Sequence, residues 1–168
     1  ADALGNESTG GPLVLTTGQV DVALDDDVEA GVGGWVVDTA TDPGAGANWG
    51  VVTDAGAPSP THSWFSADES GVKDDRLVAG PFTLGGGTTT LTFAHHFDLE
   101  SSYDGGVLEV STDGGASWQD LLAAGGVFTQ GGYTGTLSDC CDNPIGGRQA
   151  WHGSSGGWPR PFGAVRPG

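Results

Sequence analysis

Basic residues are scarce in this chain, and methionine is absent altogether. The 168 residues include five Lys and Arg against 22 Asp and Glu, which gives a formal net charge of -17 at pH 7. So few cations cannot form a basic patch, which argues against binding to nucleic acid or to anionic membrane surfaces. Two explanations remain for the acidic excess: solubility in a salty medium and, for some carboxylates, calcium binding.

Long apolar runs and long helical patterns are also missing. No run approaches the ~20 apolar residues of a membrane span, and no segment longer than a turn has helical periodicity. The chain begins Ala1-Asp2-Ala3, which is typical of a chain that has lost a signal peptide. We therefore expect a secreted, extracellular or cell-surface protein without membrane insertion.

Glycine is abundant instead, and its 32 residues separate short apolar runs. Between Leu91 and Trp118, apolar and polar residues alternate at 91–96 and 107–112, and Asp113-Gly114-Gly115 follows as a turn. This period of two predicts an all-β fold of antiparallel strands joined by tight turns. Further strands are expected at 13–15, 20–24, 35–37, 63–66, 76–78 and 149–153.

The same pattern divides the chain into three parts. Residues 1–12 are predicted to form a loose N-terminal segment, residues 13–155 a β domain, and residues 156–168 a Gly/Pro-rich tail.

Several carboxylates lie in predicted turns or at strand ends, where loops can together supply the about six to eight oxygen ligands of calcium. A solvated turn is the simpler explanation for most of them. The acidic run 25–27 stands directly before a predicted strand, where it could form one side of a cation site. The predicted ligands of a structural calcium ion are Glu29, Asp68, Glu100 and Asp104.

The two cysteines, Cys140 and Cys141, are neighbours in the chain. They can close a vicinal disulfide, or each can bond to another chain, and the vicinal bond is slightly favoured. Zinc would need more ligands than this pair supplies. Free thiols are the least expected state in a secreted protein.

Motifs for catalysis are missing: HExxH, GxSxG and a cysteine–histidine nucleophile pair do not occur. His95 and His96 are neighbours in a predicted strand, so they should face opposite sides of the sheet. Glu100 and Glu109 would suffice chemically as a glycosidase pair, but no aromatic cleft is evident near them. We therefore predict that the chain is not an enzyme.

The six tryptophans could stack on sugar rings if exposed, or fill the core if buried. Trp35, Trp118 and Trp151 lie in strand patterns and are predicted to be core residues. The better candidates for exposure are Trp49, Trp64 and Trp158.

Three motifs occur in order at 103–106 (Tyr-Asp-Gly-Gly), 111–118 (Ser-Thr-Asp-Gly-Gly-Ala-Ser-Trp) and 143–151 (Asn-Pro-Ile-Gly-Gly-Arg-Gln-Ala-Trp). Together they resemble the MAM domain, and more closely the MAM-like modules of secreted bacterial proteins that accompany metalloproteases of the immune-inhibitor-A type. The resemblance covers roughly residues 26–155. It implies a jelly-roll β-sandwich of two antiparallel sheets, with a role in adhesion, substrate binding or domain packing. Glu29 and Asp68 resemble family positions where two strands end close together.

Two departures from the family pattern affect the prediction. MAM domains proper carry spaced cysteines, and the family continues with strands ending near Asp-Asp-Val, whereas this sequence stops at Gly168. We therefore expect a sandwich that lacks its last strands or is completed by another chain. The expected function is that of a noncatalytic, calcium-stabilised adhesion or assembly module that contacts another protein chain or copies of itself. The alternative is a carbohydrate-binding module of a secreted hydrolase, with a glycan as ligand.

Overall fold

The described part of the chain is all-β in the computed structural model, and its strands pair antiparallel, which confirms the predicted fold class at this level. The description covers residues 20–41, 49–54, 56–67, 71–158 and 160–166. The predicted segment at 1–12, the predicted strand at 13–15 and the candidate ligand Asp68 lie outside these residues.

The strands of the described residues are short and are numbered here in chain order. Their bounds are β1 Val36–Thr41, β2 Gly50–Thr53, β3 His62–Phe65, β4 Asp74–Val78, β5 Thr89–His95, β6 Glu109–Val110, β7 Gln119–Asp120, β8 Val127–Gln130, β9 Gly135–Thr136, β10 Gln149–Ala150 and β11 Arg160–Arg166.

These strands form small sheets rather than two broad layers. Four of the sheets are two-stranded, β1–β4, β2–β3, β6–β7 and β9–β10, and the fifth has the order β5–β11–β8. Single bridges join Asp98 to Ser154 and Gly106 to Trp151. The turn after β5 and the segment after β10 are thereby held side by side.

The central strand of the three-stranded sheet, β11, lies in residues 156–168, which the sequence predicts to be a Gly/Pro-rich tail. β11 pairs with β5 along its whole length, from Arg160 opposite His95 to Arg166 opposite Thr89. It pairs with β8 from Gly163 onward. Proline is tolerated at position 161 because β11 has only β5 as a partner there, so the missing N–H interrupts one ladder at most.

Three predicted strands differ from what the structure shows. Of the run 149–153, only Gln149–Ala150 is a strand. Residues 20–24 form no strand, and Val20 is 84% exposed. In the run 107–112, only Glu109–Val110 is a strand. The amide of Leu108 donates instead to the Tyr133 hydroxyl at 3.0 Å, so a side chain satisfies a backbone group that the alternation assigns to a ladder.

The core is aromatic and is centred on Trp151, which is 3% exposed. Its indole N–H donates to the Gly131 carbonyl at 2.9 Å, so the one polar atom of the side chain is satisfied. This confirms Trp151 as a core residue. The rings packed around it belong to Phe93, His95, Phe128, Tyr133 and Phe162.

The prediction for Trp118 is wrong, because this side chain is 39% exposed. The β6–β7 pairing consists of Glu109 opposite Asp120 and Val110 opposite Gln119. Trp118 precedes the paired residues and lies over the turn, where Gly115 faces its ring. Because the hairpin has only two residue pairs, the Trp118 side chain stays near its turn and does not reach the core.

Candidate functional site

The Glu29 carboxylate joins the acidic N-terminal turn to the start of β3. It accepts hydrogen bonds from the Thr61 amide at 2.9 Å, the Thr61 hydroxyl at 2.6 Å, the His62 amide at 2.8 Å and the Ser59 hydroxyl at 2.7 Å. His62 Nδ1 lies 2.8 Å from its other oxygen. These bonds, led by those from the side chains of Thr61, His62 and Ser59, hold the pKa of Glu29 far below its usual range. The Glu29 carboxylate, a predicted calcium ligand, is thus hydrogen-bonded to donors of the chain itself.

The other candidate calcium ligands lie in a separate turn. The amides of Tyr103 and Asp104 donate to the Glu100 carbonyl at 3.2 and 3.1 Å, so Glu100 and Asp104 share one tight turn. Within the residues that the structure describes, no three His, Cys, Asp or Glu side chains are grouped so that they could hold a metal ion. The structure thus brings Glu100 and Asp104 together and ties Glu29 to the 59–62 loop, while Asp68 is outside the described residues.

The three motifs behind the family resemblance meet in space. The Asn143 side chain donates to the Tyr103 carbonyl at 2.6 Å, which links the third motif to the first. Arg148, also in the third motif, donates to Glu109 at 2.7 Å and to Asp120 at 3.1 Å, on the two strands that flank the second motif. These residues therefore hold backbone segments in place.

Tyr133 completes this network from the side of the core. Its hydroxyl donates to Asp120 at 2.9 Å and accepts from the Leu108 amide. Burial, with a smaller contribution from the bond to Asp120, raises the pKa of Tyr133 above its usual value. Glu109, considered from the sequence as half of a glycosidase pair, is an ion-pair partner of Arg148.

The turn between β6 and β7 is organised by Asp113. Its carboxylate accepts from the Ser117 hydroxyl at 2.6 Å, the Ser117 amide at 2.9 Å and the Ser111 hydroxyl at 2.7 Å. These bonds, with Ser117 contributing most, lower the pKa of Asp113 to about 2. The Asp-Gly-Gly signal in the sequence thus marks a self-capped turn.

Cys140 and Cys141 are joined by a vicinal disulfide in the structure. Cys141 and Asp142 have φ angles of 65° and 57°, in the left-handed region. The Asn143 amide closes this turn by donating to the Cys140 carbonyl at 3.1 Å. The disulfide thus lies one residue before the third motif, which begins at Asn143.

The neighbouring histidines have different surroundings. The ring of His95 packs between Phe97, Phe162 and Trp151, with centroid distances of 5.1, 5.1 and 4.9 Å. His96 lies 5.6 Å from the Trp158 ring. This separation agrees with the alternation of a strand, and the two imidazoles do not form one site.

A shallow groove of about 280 Å³ lies beside the acidic run 25–27. The pairing of Val36 with Val78 sets the start of β1 against the end of β4, so Trp35 faces the segment from Ala79 to Phe82. The indole N–H of Trp35 donates to Asp26 at 2.5 Å. The groove thus has two aromatic walls, Trp35 and Phe82, and an acidic rim.

The sequence singled out the acidic run 25–27 as one side of a possible cation site, and Asp25 and Asp26 of this run lie at the rim of the groove. The opposite wall has no signal in the sequence. Phe82 stands 47 positions after Trp35, and only the β1–β4 pairing brings them to one groove.

Comparison with family models, with curated proteins and with solved structures finds no match to this chain. In the part of the chain that the structure describes, no helix has the length and apolar character needed to cross a membrane.

Proposed function

We propose that this chain is an extracellular, noncatalytic adhesion or assembly module that binds another protein chain or copies of itself. The observation that carries the proposal is the exposure of β1. Val36 is 59% exposed and Val37 is 37% exposed. Successive residues of a strand point to opposite faces, so apolar side chains are uncovered on both faces of the β1–β4 ribbon. Two-stranded ribbons are marginal in water without cover, so a protein partner would stabilise this one.

Exposed apolar residues continue away from β1. Phe65 on β3, Phe82 after β4 and Val127 on β8 are 52%, 40% and 53% exposed. The chain is strongly acidic, so the ordinary expectation is a polar surface interrupted by single apolar side chains. Apolar residues exposed at strands whose outer edges have no pairing within the described residues fit the addition of a strand from a partner.

The jelly-roll sandwich and the MAM-like family belong to this proposal. Asn143 and Arg148 join the three motifs by hydrogen bonds. A structural role of this kind would account for motifs shared with the family, and it therefore supports the resemblance. The disulfide of Cys140 and Cys141 suits an oxidising, extracellular compartment. The burial of His95 among aromatic rings and the ion pair of Glu109 fit a noncatalytic role.

Sedimentation velocity combined with amide hydrogen exchange tests the proposal. We expect self-association as the concentration rises, with protection of the β1 and β4 amides increasing in parallel. Val36→Lys should abolish both effects, because it places a charge in the contact. Val22→Lys is the matched control, since Val22 is 72% exposed and lies outside any strand. A chain that stays monomeric to about 1 mM, with slowly exchanging β1 and β4 amides, would contradict the proposal, since the ribbon would then be stable without a partner.

A carbohydrate-binding module remains the second candidate. The observation in its favour is the pair of aromatic walls, Trp35 and Phe82, in the groove. A glycan array tests it, and binding that Phe82→Ala removes would favour this function over assembly.

A further inference from the structure

The groove between Trp35 and Phe82 is unusual in its balance of charge. Its lining includes Asp25 and Asp26 and, within the described residues, no Lys, Arg or His. The Asp26 carboxylate is used internally, since it accepts from the Trp35 indole and from the Val28 amide at 2.8 Å. Asp25 is exposed and has no hydrogen bond or ion pair to another described residue. One carboxylate at the rim is therefore available to a ligand.

Three of the five basic residues form ion pairs outside the groove. Lys73 pairs with Asp75, Arg76 with Asp74, and Arg148 with Glu109 and Asp120. The chain has a net charge of -17, and the groove combines acidic residues with two aromatic side chains. A cation over an aromatic ring and beside a carboxylate is the ligand that this combination attracts.

The size of the groove limits the occupant further. Its volume of about 280 Å³ is near the lower end of the range of ligand sites, about 300–1,000 Å³. This suits one long side chain better than a row of sugar rings. Arginine fits more closely than lysine, because its planar guanidinium stacks on an aromatic ring and offers a fork of donors to a carboxylate.

We propose that the groove formed by Trp35, Phe82 and Asp25 binds an arginine side chain of a partner protein. This deepens the proposed function and rests on it, because it names the chemistry by which the module would recognise another chain. The guanidinium stacks on the aromatic wall and donates to Asp25, while Asp26 holds the indole of Trp35 in position.

Nuclear magnetic resonance of the full, isotope-labelled chain tests the proposal, with acetyl-Gly-Arg-Gly-amide as the probe. We expect the indole signal of Trp35 and the amide signals of Gly33, Gly34 and Gly80 to shift. The shifts should saturate with a Kd in the millimolar range, below about 20 mM. The analogue with citrulline in place of arginine has nearly the same shape without the charge, and it should cause no shift.

Two matched pairs of variants separate this site from diffuse attraction to an acidic protein. Asp25→Asn and Asp142→Asn change the net charge equally, and both positions are exposed. Asp25→Asn should weaken binding of the peptide about three- to five-fold, the upper part of the range for one exposed ion pair, and Asp142→Asn should weaken it less than two-fold. Phe82→Ala should weaken it, whereas Phe65→Ala removes a similarly exposed ring outside the groove and should not.

Several outcomes would overturn the proposal: absence of any shift at Trp35, equal weakening by Asp25→Asn and Asp142→Asn, or equal binding of the citrulline peptide. Shifts at Trp35 caused by a neutral oligosaccharide and not by the arginine peptide would assign the groove to a sugar instead. The Val36→Lys chain distinguishes failure of the assembly proposal from failure of this one. Val36 is outside the groove lining, so this variant should bind the arginine peptide as the unchanged chain does.

Discussion

His95 ends β5 with its ring enclosed by aromatic side chains, and its Nδ1 atom is buried without a partner among the described residues. Burial, with a smaller effect of the charge on His96, lowers the pKa of His95 to about 4. An unfolded histidine has a pKa of about 6.5, so protonation favours the unfolded chain. The contribution of neutral His95 to stability is complete above about pH 6.5 and is lost as the pH falls toward 4. We expect this loss to reach at most about 3 kcal/mol.

Urea denaturation between about pH 7 and pH 5 measures this loss, because the carboxylates Glu29 and Asp113 lose their contributions only at lower pH. His95→Phe keeps an aromatic ring and removes the titrating group, so its stability should vary less over this window. His96→Gln changes an exposed neighbour and should leave most of the variation in place. An unchanged pH dependence in His95→Phe would show that another group is responsible.

β11 is the element on which the three-stranded sheet depends, and Gly163 is the position that tests it. A Cβ atom at Gly163 would collide with the Thr129 hydroxyl on β8, at the irregularity in the β8–β11 register. We expect Gly163→Ala to lower the free energy of unfolding by about 1–3 kcal/mol, because either the Thr129 side chain must leave its rotamer or the two strands must move apart. Gly34→Ala is the matched control, since a Cβ there meets no atom within 4 Å. It should change stability by no more than about 1 kcal/mol.

Thermal unfolding monitored by near-ultraviolet circular dichroism would compare these two variants. Equal effects of Gly163→Ala and Gly34→Ala would contradict tight packing of β11 against β8 at this position.

Strands with local signals could be predicted from the sequence, and those that depend on distant partners could not. Alternation at 91–96 predicts β5, and the short apolar runs near 64 and 77 predict β3 and β4. β11 has no such signal, because Pro161 and Gly163 are typical of turns and loops. Its strand conformation comes from pairing with β5 and β8 and from burial of Phe162, which is 3% exposed.

The same distinction explains which parts of the candidate sites were predictable. The Cys140–Cys141 pair and the acidic run are visible in the sequence because their members are neighbours. The network of Arg148 with Glu109 and Asp120 is not visible, since it joins positions 28 and 39 residues apart. No local rule predicts which carboxylate will accept hydrogen bonds from a distant loop, as Glu29 does from residues 59–62.

For the whole molecule, the imbalance of 22 acidic against five basic residues is the dominant electrostatic fact, and calcium would relieve part of it. We expect calcium to raise the melting temperature and a chelator to lower it, with the ion bound at the turn that holds Glu100 and Asp104. Ligand at one hundred times its Kd adds about 2.7 kcal/mol, which corresponds to several degrees. Differential scanning calorimetry with calcium, with magnesium and with EDTA measures the effect, and magnesium separates specific binding from general screening.

Two variants show whether the predicted ligands act together. Asp104→Asn should remove the response to calcium, because the turn then loses one of its two carboxylates. Glu29→Gln should lower the melting temperature in every buffer, since it weakens the bonds from Thr61 and His62, and it should keep the response to calcium. If Glu29→Gln also removed the response, Glu29 would be a ligand after all and the 59–62 loop would have to release it. Identical melting curves with calcium and with EDTA would remove the calcium site from the description of this module.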